Sequence, residues 1–584
     1  MREFLTLRDF FARHKWRYLA GIACLLTVDL LQVFTPQVLK AAADAFEGGV
    51  ITRALLLRYV VALLLLAVGI AVGRFGWRFF IIGASRLLEM ELRNRFFTHL
   101  EKLSANFFNR RTVGDLMAHA TNDIGAVRMA TGPGIVTAVD SVFLTISGIA
   151  TMVYTIDLKL TLLALVPMPI LIIAIIHFGR EINRRFRRVQ ESFSNITATA
   201  EENLNGMRVV KAFVQEEAEI EKFARQNEEY IRRNLFLVRV WGLFDPLMQW
   251  LSGLSLVIVI GYGGYLTLLG RISLGDFVAF TSYLGLITGP IMGFGWVINN
   301  LQRGIASMAR INDILHEVPD IQDAPHARPL PEVRGEIEFR GLTFRYQPDL
   351  PVVLSNITFR LPAGRTLGIL GRTGSGKSTL VNLLLRIYDP PAGTIFIDGR
   401  DIREIPLADL REIIGYVPQE NFLFSATLAE NIAFARDTWT EEEVRRAAEI
   451  AALTEDVNGF RDGFQTVVGE RGVTLSGGQK QRAAIARAIL KNPRILILDD
   501  CLSAVDTRTE EMILHRLEQV LAGRTGIVIS HRVSTLERAA DFIIVLDQGR
   551  IIEAGTHNEL LRRRGQYWQT YQRQLLEEKI AKEA

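Results

Sequence analysis

Six nearly uninterrupted apolar runs occupy the first half of this 584-residue chain, more than one soluble core could use. They are Tyr18–Phe34, Tyr59–Val72 (continuing through Arg74 and Arg78 to Ala84), Ser141–Ile156, Leu160–Phe178, Leu247–Leu269 and Phe277–Ile298. A helix rises about 1.5 Å per residue, so roughly 20 apolar residues cross the hydrocarbon of a lipid bilayer. The runs are of that order, and they predict six membrane-spanning helices. Links within the pairs are short, as at Asp157–Lys159 and Gly270–Asp276. Two much longer charged, amphipathic stretches separate spans 2–3 and 4–5. Arg86, Arg93, Arg95, Lys102, Arg110 and Arg111 lie in the first, and Arg180, Arg184, Arg185, Arg187 and Arg188 open the second. Cations collect on the cytoplasmic side, which places both stretches and both termini there, in the plasma (inner) membrane. Met1–Lys15 mixes Phe4, Leu5, Phe10 and Phe11 with charges, and reads as an interfacial helix rather than a signal peptide.

Helical periodicity persists through the long stretches, so the membrane helices should extend into the cytoplasm, broken near Gly114 and Gly206. Short helices across the ends of such hairpins are placed to dock onto another domain. The proline-bearing segment Val318–Val333 is a linker by composition. Beyond it, short β-rich runs alternate with helices, as in an α/β domain. The division is therefore 1–317 for the membrane domain, 318–334 for the linker and 335–584 for an α/β domain. The 67 basic and 63 acidic residues nearly cancel, which argues against a nucleic-acid partner, and two cysteines cannot build a disulfide framework.

The α/β domain carries Gly371-Arg-Thr373-Gly374-Ser375-Gly376-Lys377-Ser378-Thr379, a phosphate-loop pattern. Thr366–Leu370 reads as a strand before it and Ser378–Arg386 as a helix after it. Glycines let backbone N–H groups curl around phosphate oxygens, and the helix start adds positive potential. Lys377 is expected on the β- and γ-phosphates of ATP and the Ser378 hydroxyl on Mg²⁺. A second apolar strand, Ile495–Leu498, ends in Asp499, where a carboxylate would hold the same ion.

Leu475-Ser476-Gly477-Gly478-Gln479, followed by the helix Ala483–Leu490, resembles the signature of ATP-binding-cassette (ABC) proteins. The resemblance implies further roles in order along the chain. Tyr346 would stack on adenine, and Gln419 would sense Mg²⁺ and the attacking water. His531 would touch the γ-phosphate. Ser503–Asp506 matches the loop exchanged across a nucleotide-domain dimer, and Val468–Arg471 an element that contacts membrane helices in exporters. Six spans preceding such an ATPase in one chain resemble an exporter half-transporter. That implies a second half-transporter as partner, and coupling helices near Asp115–Ala126 and Glu202–Val214.

One residue departs from the family pattern. The position after Asp499 should be a water-polarising glutamate and is Asp500. Its carboxylate is one methylene short, and a misplacement near 1 Å can cost on the order of 10²-fold in rate. The expectation is a slow-hydrolysing site paired with a partner that carries the glutamate, as in asymmetric bacterial multidrug exporters. A largely regulatory subunit and a homodimeric lipid or peptide exporter are the alternatives. A hydrophobic small molecule, drug or lipid, is the substrate class the resemblance implies. Asp29, Arg74, Arg78 and Asp140 lie in or beside spans, either as structural ion pairs or as substrate contacts.

Overall fold

The computed structural model describes residues 2–469, 472, 475–502 and 507–583, which form two units. The first comprises Met1–Glu101 and Thr112–Glu317, the second Lys102–Arg111 and Val318–Ala584.

In the first unit, six continuous helical stretches are long and apolar enough to cross a membrane: Arg2–Glu47, Arg53–Leu100, Val113–Thr155, Leu158–Asn205, Glu216–Leu268 and Leu274–Leu315. All six expected spans are therefore present, each prolonged at one or both ends. The most apolar window of the second has a mean hydropathy of 2.6 with no buried residue, a surface suited to lipid. Elsewhere the helices bury Leu144, Met152, Leu160, Phe280, Tyr283 and Ile287 against one another. The Tyr283 hydroxyl donates to the Val33 carbonyl at 2.8 Å, tying the last span to the first. Asp123 joins the third stretch to the sixth, accepting from Ser307 at 2.8 Å and from the Arg310 guanidinium. Asp29 is fully buried, and neither of its carboxylate oxygens has a hydrogen-bond partner.

The first expected break is displaced. Gly114 sits in the opening turn of a helix that runs from Val113, where the Thr112 hydroxyl caps Asp115 N–H at 3.2 Å. A glycine costs only about 1 kcal/mol in a helix, which a side-chain cap of similar worth offsets. The chain breaks earlier, around the short helix Ala105–Arg110. Its segment packs within the second unit: Phe107 is buried, Ser104 Oγ and Asn106 Nδ2 donate to Asp320 at 3.0 and 3.1 Å, and Asn109 Nδ2 donates to the Tyr388 hydroxyl at 2.8 Å. The short helix between spans 2 and 3 is thus Ala105–Arg110, and Asp115–Ala126 is the start of the third long stretch. Near Gly206 the expected break holds, with the short helix Met207–Ala212 following.

The second unit holds two sheets. Strands β1 (Ile337–Phe344), β2 (Leu354–Leu361), β4 (Ile395–Ile397) and β5 (Arg400–Asp401) make an antiparallel sheet in the order β2-β1-β4-β5. Strands β3 (Thr366–Gly371), β6 (Ile414–Val417), β7 (Ile495–Asp499), β8 (Thr525–Ile529), β9 (Phe542–Asp547) and β10 (Arg550–Gly555) form the other, in the order β10-β9-β3-β8-β7-β6. Its pairs are parallel except β9–β10. Every residue of β7 and β8 is buried, as expected of parallel strands covered on both faces. Alternation divides them: Ile495 and Ile497 enter one core, Leu496 and Leu498 the other. The segment expected to be a linker packs onto this unit. The fully buried Arg386 donates to the Gln322 carbonyl at 3.2 Å, and Leu407 N–H to Asp323 at 2.8 Å.

Candidate active site

Ligands of open parallel sheets gather outside the carboxyl ends of the strands. Four such ends converge here. β3 runs into the phosphate loop, β7 ends in Asp499 and Asp500, β8 leads to His531 and β6 leads to Gln419. The register sets Asp499 beside Ile529 and Val417 beside Leu498, so the residues that follow these strands emerge level. They line one cavity of about 730 Å³, shared by Gly371, Thr373, Gly374, Gly376, Lys377, Ser378, Thr379, Gln419, Asp499, Asp500 and His531.

The loop end is a cradle that side chains would fill. A Cβ on Gly371 would stand 2.5 Å from the Leu546 carbonyl oxygen and 2.6 Å from Ser375 Oγ. Gly376 has φ +99°, which L-residues avoid, and opens the helix Lys377–Leu384. Ser375 is buried with its hydroxyl unpartnered. Lys377 Nζ donates to the carbonyls of Gly371 and Arg372 at 2.7 and 2.9 Å, folded back over the loop. Burial pulls its pKa below the usual lysine value, and Asp499 and Asp500 oppose that. A polyanion here would meet a desolvated cation and unengaged donors, which is the chemistry a nucleotide phosphate requires.

Asp499 is 2 % exposed. Burial raises its pKa above the usual carboxylate range, while the hydroxyls of Ser378 and Tyr416, with Lys377, hold it partly down. Asp499, Ser378 and the nearby Gln419 make an oxygen donor set of the kind Mg²⁺ prefers. Asp500 adopts a left-handed backbone with φ +47°, a conformation aspartate tolerates better than most residues. Its N–H is bound to the Ile529 carbonyl at 3.0 Å, and its Oδ1 lies 2.8 Å from His531 Nδ1. That hydrogen bond raises the His531 pKa above the ordinary histidine value, against partial desolvation.

Two expected site elements are not among the residues that line the cavity. Tyr346 does not line it: the hydroxyl is 2.8 Å from Thr379 Oγ1 and the ring packs edge-on against Tyr388, 4.9 Å between centroids. Ser476, Gly477, Gly478 and Gln479 also stand outside it, and form the capped start of the helix Gly477–Leu490. Ser476 N–H donates to Gln479 Oε1 at 2.9 Å, and Gln479 Nε2 donates to Asp456 at 2.9 Å. Ser503–Asp506, with Glu470 and Arg471, lie outside the described residues. Sequence reasoning missed Tyr416, although it stands three residues before Gln419 on an apolar strand. It also missed Gln566, Thr570 and Arg573 of the C-terminal helix, which line the cavity and carry no local signal.

The ABC transporter transmembrane region matches residues 18–291, and the ABC transporter ATPase family matches residues 354–503. The probable multidrug resistance ABC transporter ATP-binding/permease protein YheI of Bacillus subtilis is 39 % identical over 97 % of both chains. The chain belongs to the ABC transporter family. The multidrug resistance-like ATP-binding protein MdlA of Escherichia coli is 38 % identical over 99 % of this chain and 97 % of its own. An ATP-dependent lipid A-core flippase of Syntrophus aciditrophicus is 38 % identical over 84 % of each. A bacterial Atm1-family ABC exporter solved with ATP bound matches with a TM-score of 0.77 and 29 % identity, covering 96 % of this chain and 99 % of that one. This ABC half-transporter is a multi-pass membrane protein with the exporter fold, whose ATPase unit binds and hydrolyses ATP to drive export. ABC exporters work as dimers.

Proposed function

We propose that this half-transporter exports hydrophobic or amphipathic small molecules, drugs or lipids, across the plasma membrane by alternating access. Its ATPase unit and both termini are cytoplasmic in this reading. It pairs with a second half-transporter that supplies the glutamate this chain lacks. One observation carries the asymmetric part: the carboxylate after β7 is Asp500, and it is engaged by His531 at 2.8 Å. A shorter side chain bound to the neighbouring imidazole is poorly placed to polarise a water beyond it. Support for the substrate class comes from multidrug and lipid relatives on one fold.

In this reading Lys377 and the N–H groups of Gly374, Gly376 and Thr379 bind the ATP phosphates, while Thr373 shapes the loop. Ser378, Asp499 and Gln419 would hold Mg²⁺, which when bound draws charge off the phosphate oxygens. His531 donates to the γ-phosphate from Nε2, the ring nitrogen not used by Asp500. The capped turn Ser476–Gln479 presents N–H groups to nucleotide held by the partner, because it does not reach this chain's own loop.

The intact complex, extracted from its host in mild detergent, tests the pairing by mass. A 1:1 complex with a different six-span chain bearing glutamate after its own β7 is the expected result. Two identical chains would remove the asymmetric reading and leave a homodimer that works with aspartate.

A further inference from the structure

The helix Gln566–Glu583 is remote from every motif in sequence, yet it reaches the catalytic end of the cavity. Its start is anchored. Glu553 on β10 accepts from the N–H groups of Gln566 and Tyr567. Tyr567 is fully buried, its hydroxyl 2.8 Å from His557 Nδ1, and the Tyr571 ring packs edge-on against His557 with centroids 5.7 Å apart. Residues 567, 571 and 574 follow helical spacing along one face, so the anchored side continues to Gln574. There Gln574 Nε2 donates to the His531 carbonyl at 2.7 Å, and its Oε1 accepts from Val533 N–H at 2.8 Å.

Both bonds close on the turn between β8 and the helix Val533–Ala539, one residue on either side of Arg532. The His531 side chain is 54 % exposed, so packing alone does not fix it. The turn is held by hydrogen bonds: Arg532 N–H to Ser530 Oγ at 3.0 Å, the Arg532 guanidinium to Glu510, and the Gln574 clasp. Asp500, Arg532 and Glu510 are the charged groups facing the imidazole.

We propose that Gln574 is a positioning residue for His531, and that the C-terminal helix is thereby a working part of the nucleotide site. Both groups of one amide on one backbone turn set where the imidazole begins, and hence its reach to Asp500 and to a γ-phosphate. Displacing such a group by a fraction of the roughly 1 Å that costs 10²-fold gives an expected loss of about 10-fold. The proposal rests on the role of His531 given above.

The test is steady-state ATP hydrolysis at this chain's own site, in the purified dimer whose partner has its catalytic glutamate changed to glutamine, in lipid nanodiscs, as a function of ATP concentration and pH. Gln574→Ala should lower kcat about 10-fold and leave KM within about 2-fold. The limb of the pH profile that titrates His531 should move to lower pH as the imidazole loses its register with Asp500. Gln574→Glu still accepts from Val533 but cannot donate to the His531 carbonyl, so it should fall between; it also serves if the alanine variant fails to assemble. Gln569→Ala, on the exposed face of the same helix, should match wild type. Wild-type kinetics for Gln574→Ala, or a fall in rate with an unmoved pH limb, would overturn the proposal. His531→Ala separates the two readings. If that variant hydrolyses normally, the role of His531 fails and the clasp with it. If it is slow while Gln574→Ala is not, only the clasp is wrong.

Discussion

At the loop end of the phosphate cavity, the backbone does the binding: Gly371 and Gly376 leave no room for a Cβ, and a helix start follows. At the opposite end side chains converge instead: Asp499 and Asp500 at the end of β7, His531 after β8 and Gln419 after β6. The contrast teaches how one site can keep its ligand while losing speed. A cradle made of main chain fails as a whole when any piece changes. A side-chain constellation can be retuned by one methylene, as we propose for Asp500, with strand register and cradle unchanged.

Breaking the loop end should give the largest effect. Lys377→Ala removes the cavity's desolvated cation, and ATP hydrolysis at this chain's own site, read in a dimer whose partner has its catalytic glutamate changed to glutamine, should fall on the order of 10²–10³-fold. An unchanged rate would mean that Lys377 does not hold the phosphates. Restoring the other end comes next: in the same dimer, with the partner's site silenced, Asp500→Glu should raise turnover by up to roughly 10²-fold if reach is what limits this site. No change would sink the slow-site reading and leave aspartate as a tolerated replacement.

Gly376→Ala forces an L-residue to φ +99° and sets a Cβ 2.7 Å from Leu354. It should destabilise the ATPase unit by about 1–3 kcal/mol, seen as a lower melting temperature without nucleotide. Smallest is a pH effect at the carboxylate end. His531 is held above its ordinary pKa by Asp500, so the ion pair stabilises the folded state below the unfolded histidine value. That contribution disappears as pH rises through the folded value. The melting-temperature gap between wild type and Asp500→Asn should therefore be widest below the ordinary histidine value of about 6.5 and narrow as pH rises past it. A gap constant with pH would mean the contact seen at 2.8 Å carries no charge.

Legibility in the sequence follows the same contrast. The cradle is contiguous, so Gly371–Thr379 declared it, and the strand before it made the context unambiguous. Asp499 was legible because it ends a short apolar run, whereas Asp500, Gln419 and His531 were legible only through the resemblance to ABC motifs. Tyr416 and the C-terminal helix were not, because their place at the site comes from tertiary packing: Tyr416 through a hydrogen bond to Asp499, Gln574 through a clasp on a turn 43 residues away. Tyr346 was legible as an aromatic, but its hydroxyl is tied to Thr379 and its ring to Tyr388, and it is not among the residues that line the cavity. The spans were plain from hydropathy, whereas the first cytoplasmic break was misplaced. Capping by Thr112 outweighs the glycine that follows it, and capping depends on where the chain turns rather than on composition.

The bare second helix has a consequence for how the chain is made. Its window of mean hydropathy 2.6 needs no neighbour to reside in lipid, whereas the last stretch, at 1.5, also buries Asn300 and Ser307. During synthesis the second helix should therefore enter the bilayer unaided and serve as a fixed post. The final one should settle only once earlier helices are there to receive its polar groups. Truncations that present each helix alone to the insertion machinery would show this as efficient partitioning of Arg53–Leu100 and poor partitioning of Leu274–Leu315.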